Sequence, residues 1–160
     1  MTKDDLSILK ESNFRSGIFL ENASSDQVKE IWLISDDSKA VRESIKFFDH
    51  NQSGFVLRCL RTKNQLVRIL PDYETSFRQA MPYAIILDPS FEKNYGYFIL
   101  EQMREKTKEH GILFVFLAEN FSDLSLFSLF GLSADIFVTK PVDDILLSYI
   151  LEKSKINYPR

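Results

Sequence analysis

Cysteine is nearly absent from this 160-residue chain. Cys59 is the single one, which excludes an internal disulfide and a cysteine-based zinc site. Histidine occurs twice, as His50 and His110, sixty positions apart, too far in sequence for a local histidine metal cluster. The five glycines form neither G-x-G-x-x-G nor G-x-x-x-x-G-K-S/T, so a glycine-rich phosphate loop is excluded. A basic surplus is missing as well. Twenty Lys and Arg against twenty-three Asp and Glu leave a net charge of −3, which argues against nucleic acid as the partner. The longest uncharged apolar runs, residues 83–87 and 112–118, fall far short of a membrane span. The N-terminus, Met1-Thr2-Lys3-Asp4-Asp5, shows no apolar signal core. These absences fit a protein of the cytoplasm. Apolar residues make up 44% of the chain and charged ones 27%, enough apolar material for one domain of ordinary size to build its own core.

Residues 1–29 differ from the rest and read as an N-terminal extension. Residues 2–13 could form a short helix, 17–20 an extended piece and 22–26 a polar loop. A strand–helix alternation then fills residues 30–160. Residues 31–34 (Ile-Trp-Leu-Ile) form a short apolar run, read as a buried strand. Asp36-Asp37-Ser38 supplies helix N-cap chemistry, and Val41, Ile45 and Phe48 recur at helical spacing. Residues 55–60 read as a second strand. Residues 64–80 read as helix or helix plus loop, with Pro71 expected to break or start a helix. Residues 83–87 form a third strand, followed by Asp88-Pro89. A helix is expected over 97–108, with Ile99, Leu100 and Met103 on one face. Residues 112–117 form a fourth strand, 121–130 a helix and 136–138 a fifth strand, followed by Thr139-Lys140-Pro141. Asp143 can cap a last helix carrying Leu146, Leu147, Ile150 and Leu151. Strands apolar on both faces belong in a parallel sheet covered by helices on each side. Right-handed crossovers make this an open α/β sandwich, whose site lies at the carboxyl ends of the strands.

The chemistry-bearing residues fall at those ends. Asp36 and Asp37 follow the first strand, Asp88 the third and Lys140 the fifth. Three carboxylates crowded together repel unless a cation offsets them. Mg2+ suits such a set, because it takes a few oxygen ligands and keeps several waters. A carboxylate beside that ion can attack phosphorus and become an acyl phosphate, and a lysine can hold another phosphoryl oxygen.

With these residues in place, the sequence resembles the receiver domain of two-component response regulators. The resemblance rests on Ile-Ser-Asp36-Asp37-Ser-Lys-Ala-Val-Arg42, Ile-Ile-Leu-Asp88, Gly96, and Ala134-Asp135-Ile-Phe137-Val-Thr-Lys140-Pro141. It spans roughly residues 30–153. It implies a flavodoxin-like five-stranded parallel sheet of order 2-1-3-4-5 with helices on both faces. It further implies Asp88 as phosphoacceptor, charged by a histidine kinase or a phosphotransfer protein. Asp37 would bind Mg2+ directly, Asp36 mainly through water, and the Ser90 backbone carbonyl would be a further ligand. Lys140 would pair with the phosphate or with Asp88 across a cis Lys140–Pro141 bond. Phe137 matches the switch aromatic.

Three departures stand beside it. The family usually has Thr or Ser at the end of the fourth strand. Counting back from Lys140 puts Ala118 there, or Leu117 with a shift of one, and neither carries a hydroxyl. Glu92 occupies the place of a common proline, where it could add charge to the pocket or face water. Asp37 to Asp88 is 51 residues, several more than usual, and the excess falls near residues 60–80. The implied function is a stand-alone phosphoacceptor that acts through protein contacts and is not itself an enzyme. The alternatives are a pseudo-receiver that binds partners without phosphorylation and a small Mg2+-dependent phosphatase. The last lacks an obvious second acid–base residue.

The segment 121–130 (Phe-Ser-Asp-Leu-Ser-Leu-Phe-Ser-Leu-Phe) has apolar residues around most of its helical wheel, whereas a covering helix needs one stripe. It is either a deeply packed helix or a surface for a second copy or a downstream protein. The dimer reading expects the chain to sediment as a dimer and the Phe127→Glu and Phe130→Glu variants as monomers. A monomeric wild type removes it.

Overall fold

The structure, a computed structural model, describes residues 28–75, 82–122 and 134–157. In chain order these hold β1 (Lys29–Ile34), α1 (Ser38–His50), β2 (Phe55–Leu60), α2 (Lys63–Thr75), β3 (Ala84–Leu87), α3 (Phe91–Glu109), β4 (Leu113–Ala118), β5 (Ile136–Thr139) and α4 (Asp144–Asn157). The strands form one sheet of order β2-β1-β3-β4-β5, and every neighbouring pair is parallel. This is the flavodoxin-like order expected from the sequence.

Side-chain alternation divides the core in two. Ile31, Leu33, Leu57, Ile86, Val115 and Leu117 face one way and pack with Val41 and Phe47 of α1 and Leu147, Ile150 and Leu151 of α4. Trp32, Ile34, Ile85, Leu87, Phe114 and Phe116 face the other way, toward Leu66 of α2 and Phe91, Ile99 and Met103 of α3. Because β1, β3 and β4 are buried on both faces, they read as continuous apolar runs. Cys59 is buried in β2, among the residues of the first face.

The helix starts follow their capping residues. Asp37 caps α1, its Oδ1 accepting from the Lys39 and Ala40 amides. Asp143 Oδ1 accepts from the Leu146 amide at the start of α4. Asp135 fastens the edge strand: its Oδ2 accepts from the Phe114 amide and its Oδ1 from Arg104.

Three boundaries differ from the sequence reading. β1 begins at Lys29, inside the supposed extension, because Lys29 and Glu30 pair with Phe55 and Val56 of β2. Backbone pairing carries the strand past its apolar residues. α2 runs through Pro71 to Thr75; a proline removes one backbone hydrogen bond and does not by itself end a helix held elsewhere. α3 is assigned from Phe91, ahead of the expected 97, but Glu92, Lys93 and Asn94 have positive φ (48°, 56° and 75°). The segment opens on a left-handed turn before regular helix follows. The short helix at 2–13, the extended piece at 17–20, the loop at 22–26 and all but Phe121 and Ser122 of the 121–130 segment lie outside the described residues.

Gly96 is where this turn meets the end of β3. A Cβ there would lie 2.7 Å from the Asp88 carbonyl oxygen and from Pro89 Cα, and 2.9 Å from the Pro89 carbonyl oxygen. Those neighbours are backbone and cannot rotate away. Gly96→Ala is therefore expected to cost about 2 kcal/mol through overpacking, read as a lowered urea midpoint. An unchanged midpoint would show that the 89–96 turn can shift at no cost.

Candidate functional site

The carboxyl ends of β1, β3, β4 and β5 deliver their polar residues to one rim. Asp88 follows β3 directly and is 1% exposed. Its amide donates to the Ile34 carbonyl, holding it against the end of β1. Its carboxylate is fully engaged. Oδ1 accepts from the Ser90 amide (3.1 Å) and the Ser90 hydroxyl (2.8 Å). Oδ2 accepts from the Ser35 hydroxyl (2.8 Å) and lies 2.9 Å from Lys140 Nζ. A carboxylate offers about four lone-pair sites, and Asp88 has a donor for each.

Lys140 is the hub. Its ammonium lies 2.8 Å from Asp37 Oδ2, 2.9 Å from Asp88 Oδ2 and 3.0 Å from Glu119 Oε1, one carboxylate for each of its protons. It extends from the end of β5, where the Lys140–Pro141 bond is cis and the Lys140 amide donates to the Ala118 carbonyl. Its side chain is 12% exposed.

The electrostatics follow from this geometry. Burial alone would lower the Lys140 pKa; hydrogen bonds to Asp37, Asp88 and Glu119, with the charge of Asp88, override it and raise the pKa above the ordinary lysine value. The Lys140 hydrogen bond and the amides of Ala40 and Lys39 outweigh burial at Asp37 and hold its carboxyl below the ordinary range.

Asp36 lies on the same rim but points elsewhere. Its Oδ2 accepts from the Glu92 amide at 3.0 Å, which ties the left-handed turn to the end of β1. The Glu92 carboxylate accepts from the Lys63 amide at 2.8 Å and so caps α2. Of the two roles open to Glu92, neither pocket charge nor free exposure describes it. The Ser90 carbonyl accepts from the Asn94 amide at 3.3 Å. Ala118 is the last residue of β4, paired with Thr139, while Leu117 packs in the core of the opposite face. Both positions that the spacing from Lys140 allows lie at the end of β4, and neither carries a hydroxyl. Phe137 is 39% exposed and stands edge-on to Phe116, ring centres 5.9 Å apart.

Sequence reasoning passed over two contributors, Ser35 and Glu119. Both had a signal, since each directly follows the last residue of its strand or lies one residue past it. Ser35 was hidden by its place between an apolar run and an acid pair, and Glu119 by its single carboxylate.

The acids gathered at this rim, Asp36, Asp37, Asp88 and Glu119, offer oxygen ligands, which is the chemistry a hard divalent cation takes. Among the described residues no three acidic, His or Cys side chains already stand close enough to enclose an ion. Lys140 occupies Asp37 Oδ2 instead.

Neither a protein-family model nor a curated protein sequence matches the chain. Solved structures do. The bacteriophytochrome response regulator RtBRR superposes with a TM-score of 0.61 at 22% identity, covering 84% of this chain and 82% of that one. A CheY-like response regulator receiver domain protein from Methanospirillum hungatei JF-1 gives 0.60 at 21%, covering 81% and 95%. The Mn2+-bound form of response regulator Rcp1 gives 0.60 at 18%, covering 80% and 93%. The fold is that of a receiver domain. Within the receiver fold, Asp88, Asp37 and Lys140 meet at the strand ends. Among the described residues no helix is long and apolar enough to cross a membrane.

The two shifted pKa values set a pH window. Lowered in the folded state, the Asp37 pKa contributes stability that is present above the ordinary carboxylate value of about 4 and lost as pH falls through the lowered one. Lys140, with its pKa raised, contributes stability that is present below the ordinary lysine value of about 10.4 and lost as pH rises through the raised one. Urea midpoints should be level between these limits and fall in acid, and Lys140→Met should reduce the acid-side fall. An identical acid slope in that variant would dissociate Asp37 from Lys140.

Proposed function

We propose that the chain is a receiver that accepts a phosphoryl group on Asp88 from a phosphohistidine of a kinase or phosphotransfer protein. The single observation that carries this is a buried acid at the end of β3 sharing one lysine with the acid that follows β1. An Asp88 oxygen attacks phosphorus, the bond to the donor nitrogen breaks, and its electron pair leaves with the imidazole. The product is an acyl phosphate on Asp88. Lys140 moves with the charge, from Asp88 Oδ2 to a phosphoryl oxygen. Asp36, Asp37, Asp88 and the Ser90 carbonyl would hold Mg2+, with Asp36 acting through water. The bound ion neutralises phosphoryl charge. Admitting it would require Lys140 to release Asp37 Oδ2, which it holds at 2.8 Å.

Support for the metal comes from likeness: Rcp1 is described in a Mn2+-bound form and the DrrB receiver domain in a BeF3-activated form. The site accepts a group and returns it, and its output is read through protein contacts, not through turnover of a small substrate. The residues before Lys29, where β1 begins, are assigned as an extension to this unit. Phe137, exposed beside Phe116, is assigned as the aromatic whose position reports the site. Ala118 offers no hydroxyl to link the two.

That missing hydroxyl favours a second reading, in which the chain binds partners without being phosphorylated. The two separate cleanly. Incubation with Mg2+ and acetyl phosphate should add the mass of one phosphoryl group to the intact chain, and Asp88→Asn should abolish the gain. Wild-type protein that gains no mass, with or without Mg2+, establishes the second reading.

A further inference from the structure

We propose that Ser35 shortens the life of the phosphorylated state by stabilising Asp88 as a leaving group. The inference rests on the receiver reading of Asp88. Ser35 is fully buried. Its hydroxyl has one proton, and that proton goes to Asp88 Oδ2 at 2.8 Å. The same oxygen accepts from the Asp37 amide at 3.1 Å, so the hydroxyl is held from both sides and cannot turn to water. The other side-chain donors to Asp88 have somewhere else to go. Ser90 is solvent-exposed, and Lys140 has Asp37 and Glu119. Ser35 is thus the fixed side-chain donor, beside the Ser90 amide on the other oxygen.

Its effect follows from where charge develops. In hydrolysis, water adds its oxygen to phosphorus and the P–O bond to Asp88 breaks. The electron pair of that bond returns to the carboxylate, and the water's protons leave with inorganic phosphate and solvent. The Asp88 carboxyl passes from a neutral acyl group to an anion. A hydrogen bond from a hydroxyl is stronger to the anion than to the neutral form. In a loose transition state the bond to Asp88 is largely broken, so most of that gain is already present. In the forward direction the same looseness leaves the carboxylate charge almost intact at the barrier, and the hydroxyl matters little. Ser35 therefore acts on loss of the phosphoryl group far more than on its acquisition. A residue that only packs the end of β1 would disturb both.

The test uses the full chain as wild type, Ser35→Ala and Ser35→Cys, the last a somewhat larger side chain with a weak donor. Each is phosphorylated with acetyl phosphate and Mg2+, the donor is removed, and phosphoryl loss is followed by intact mass. Ser35→Ala should lose its phosphoryl group about fivefold more slowly than wild type, with Ser35→Cys in between. The rate of phosphorylation should change by less than about twofold. If wild type is phosphorylated and both variants lose the group as fast or faster, the inference fails and the receiver reading stands. If wild type is never phosphorylated, the receiver reading fails and takes this inference with it. Should Ser35→Ala not fold, Ser35→Cys decides alone.

Discussion

One ammonium group holds this rim together. Lys140 brings one positive charge to three carboxylates, from the N-cap of α1, the end of β3 and the residue after β4. Without it, Asp88 would be a nearly unexposed charge facing two others of like sign, an arrangement that is costly in a poorly solvated setting. The lysine can reach them because the sheet order places β3 and β4 between β1 and β5. All these strands run parallel, so their carboxyl ends share an edge. Topology gathers the charges, and the lysine makes the gathering affordable.

The acid pair shows why a structural and a chemical reading of one residue need not compete. Asp37 Oδ1 satisfies the amides that open α1, and Oδ2 faces Lys140. The capping bonds fix the rotamer, and the fixed rotamer aims the second oxygen at the site. Asp36 divides the work differently. Its bond to the Glu92 amide braces three consecutive residues in left-handed conformation, each of which costs about 1 kcal/mol or more without glycine. Glu92 in turn caps α2. A chain of hydrogen bonds thus runs from the end of β1 through the turn after Asp88 to the start of the next helix, and the site's walls are set by the same contacts that start the helices.

Much of the architecture was legible because burial on both faces leaves an unmistakable mark. The apolar runs in β3 and β4, the alternating polar helices and the position of each acid shortly past a strand were enough to place a parallel α/β sheet and its rim, while the sheet order came from the family resemblance. What escaped reading was of two kinds. Boundaries at Lys29 and Pro71 escaped because backbone pairing and helix continuity outweigh local side-chain preference. Individual contacts at the rim escaped because they depend on rotamers. Nothing in the composition says that Ser35 turns inward to Asp88, that Glu92 turns away to Lys63, or that Glu119 takes the third proton of Lys140. The end of β4 lay between these cases. Spacing from Lys140 leaves Ala118 and Leu117 open, the two closing residues of β4, and neither carries a hydroxyl.

The distribution of donors around Asp88 gives the site an inherent asymmetry. Oδ1 is held by a residue that reaches solvent, Ser90, and Oδ2 by one that does not, Ser35. In the proposed role Asp88 must free a lone pair before it can attack, and a saturated carboxylate frees it where a donor can find another partner. Ser90 can turn its hydroxyl to water. Lys140 can lean on Asp37 and Glu119, the two carboxylates that already share it. Glu119 therefore does more than add charge. It gives Lys140 a third carboxylate partner, which would keep the lysine over the rim if Asp37 were engaged elsewhere. In the proposed receiver reading, an end of β4 without a hydroxyl leaves that lysine as the main side chain to receive a phosphoryl oxygen.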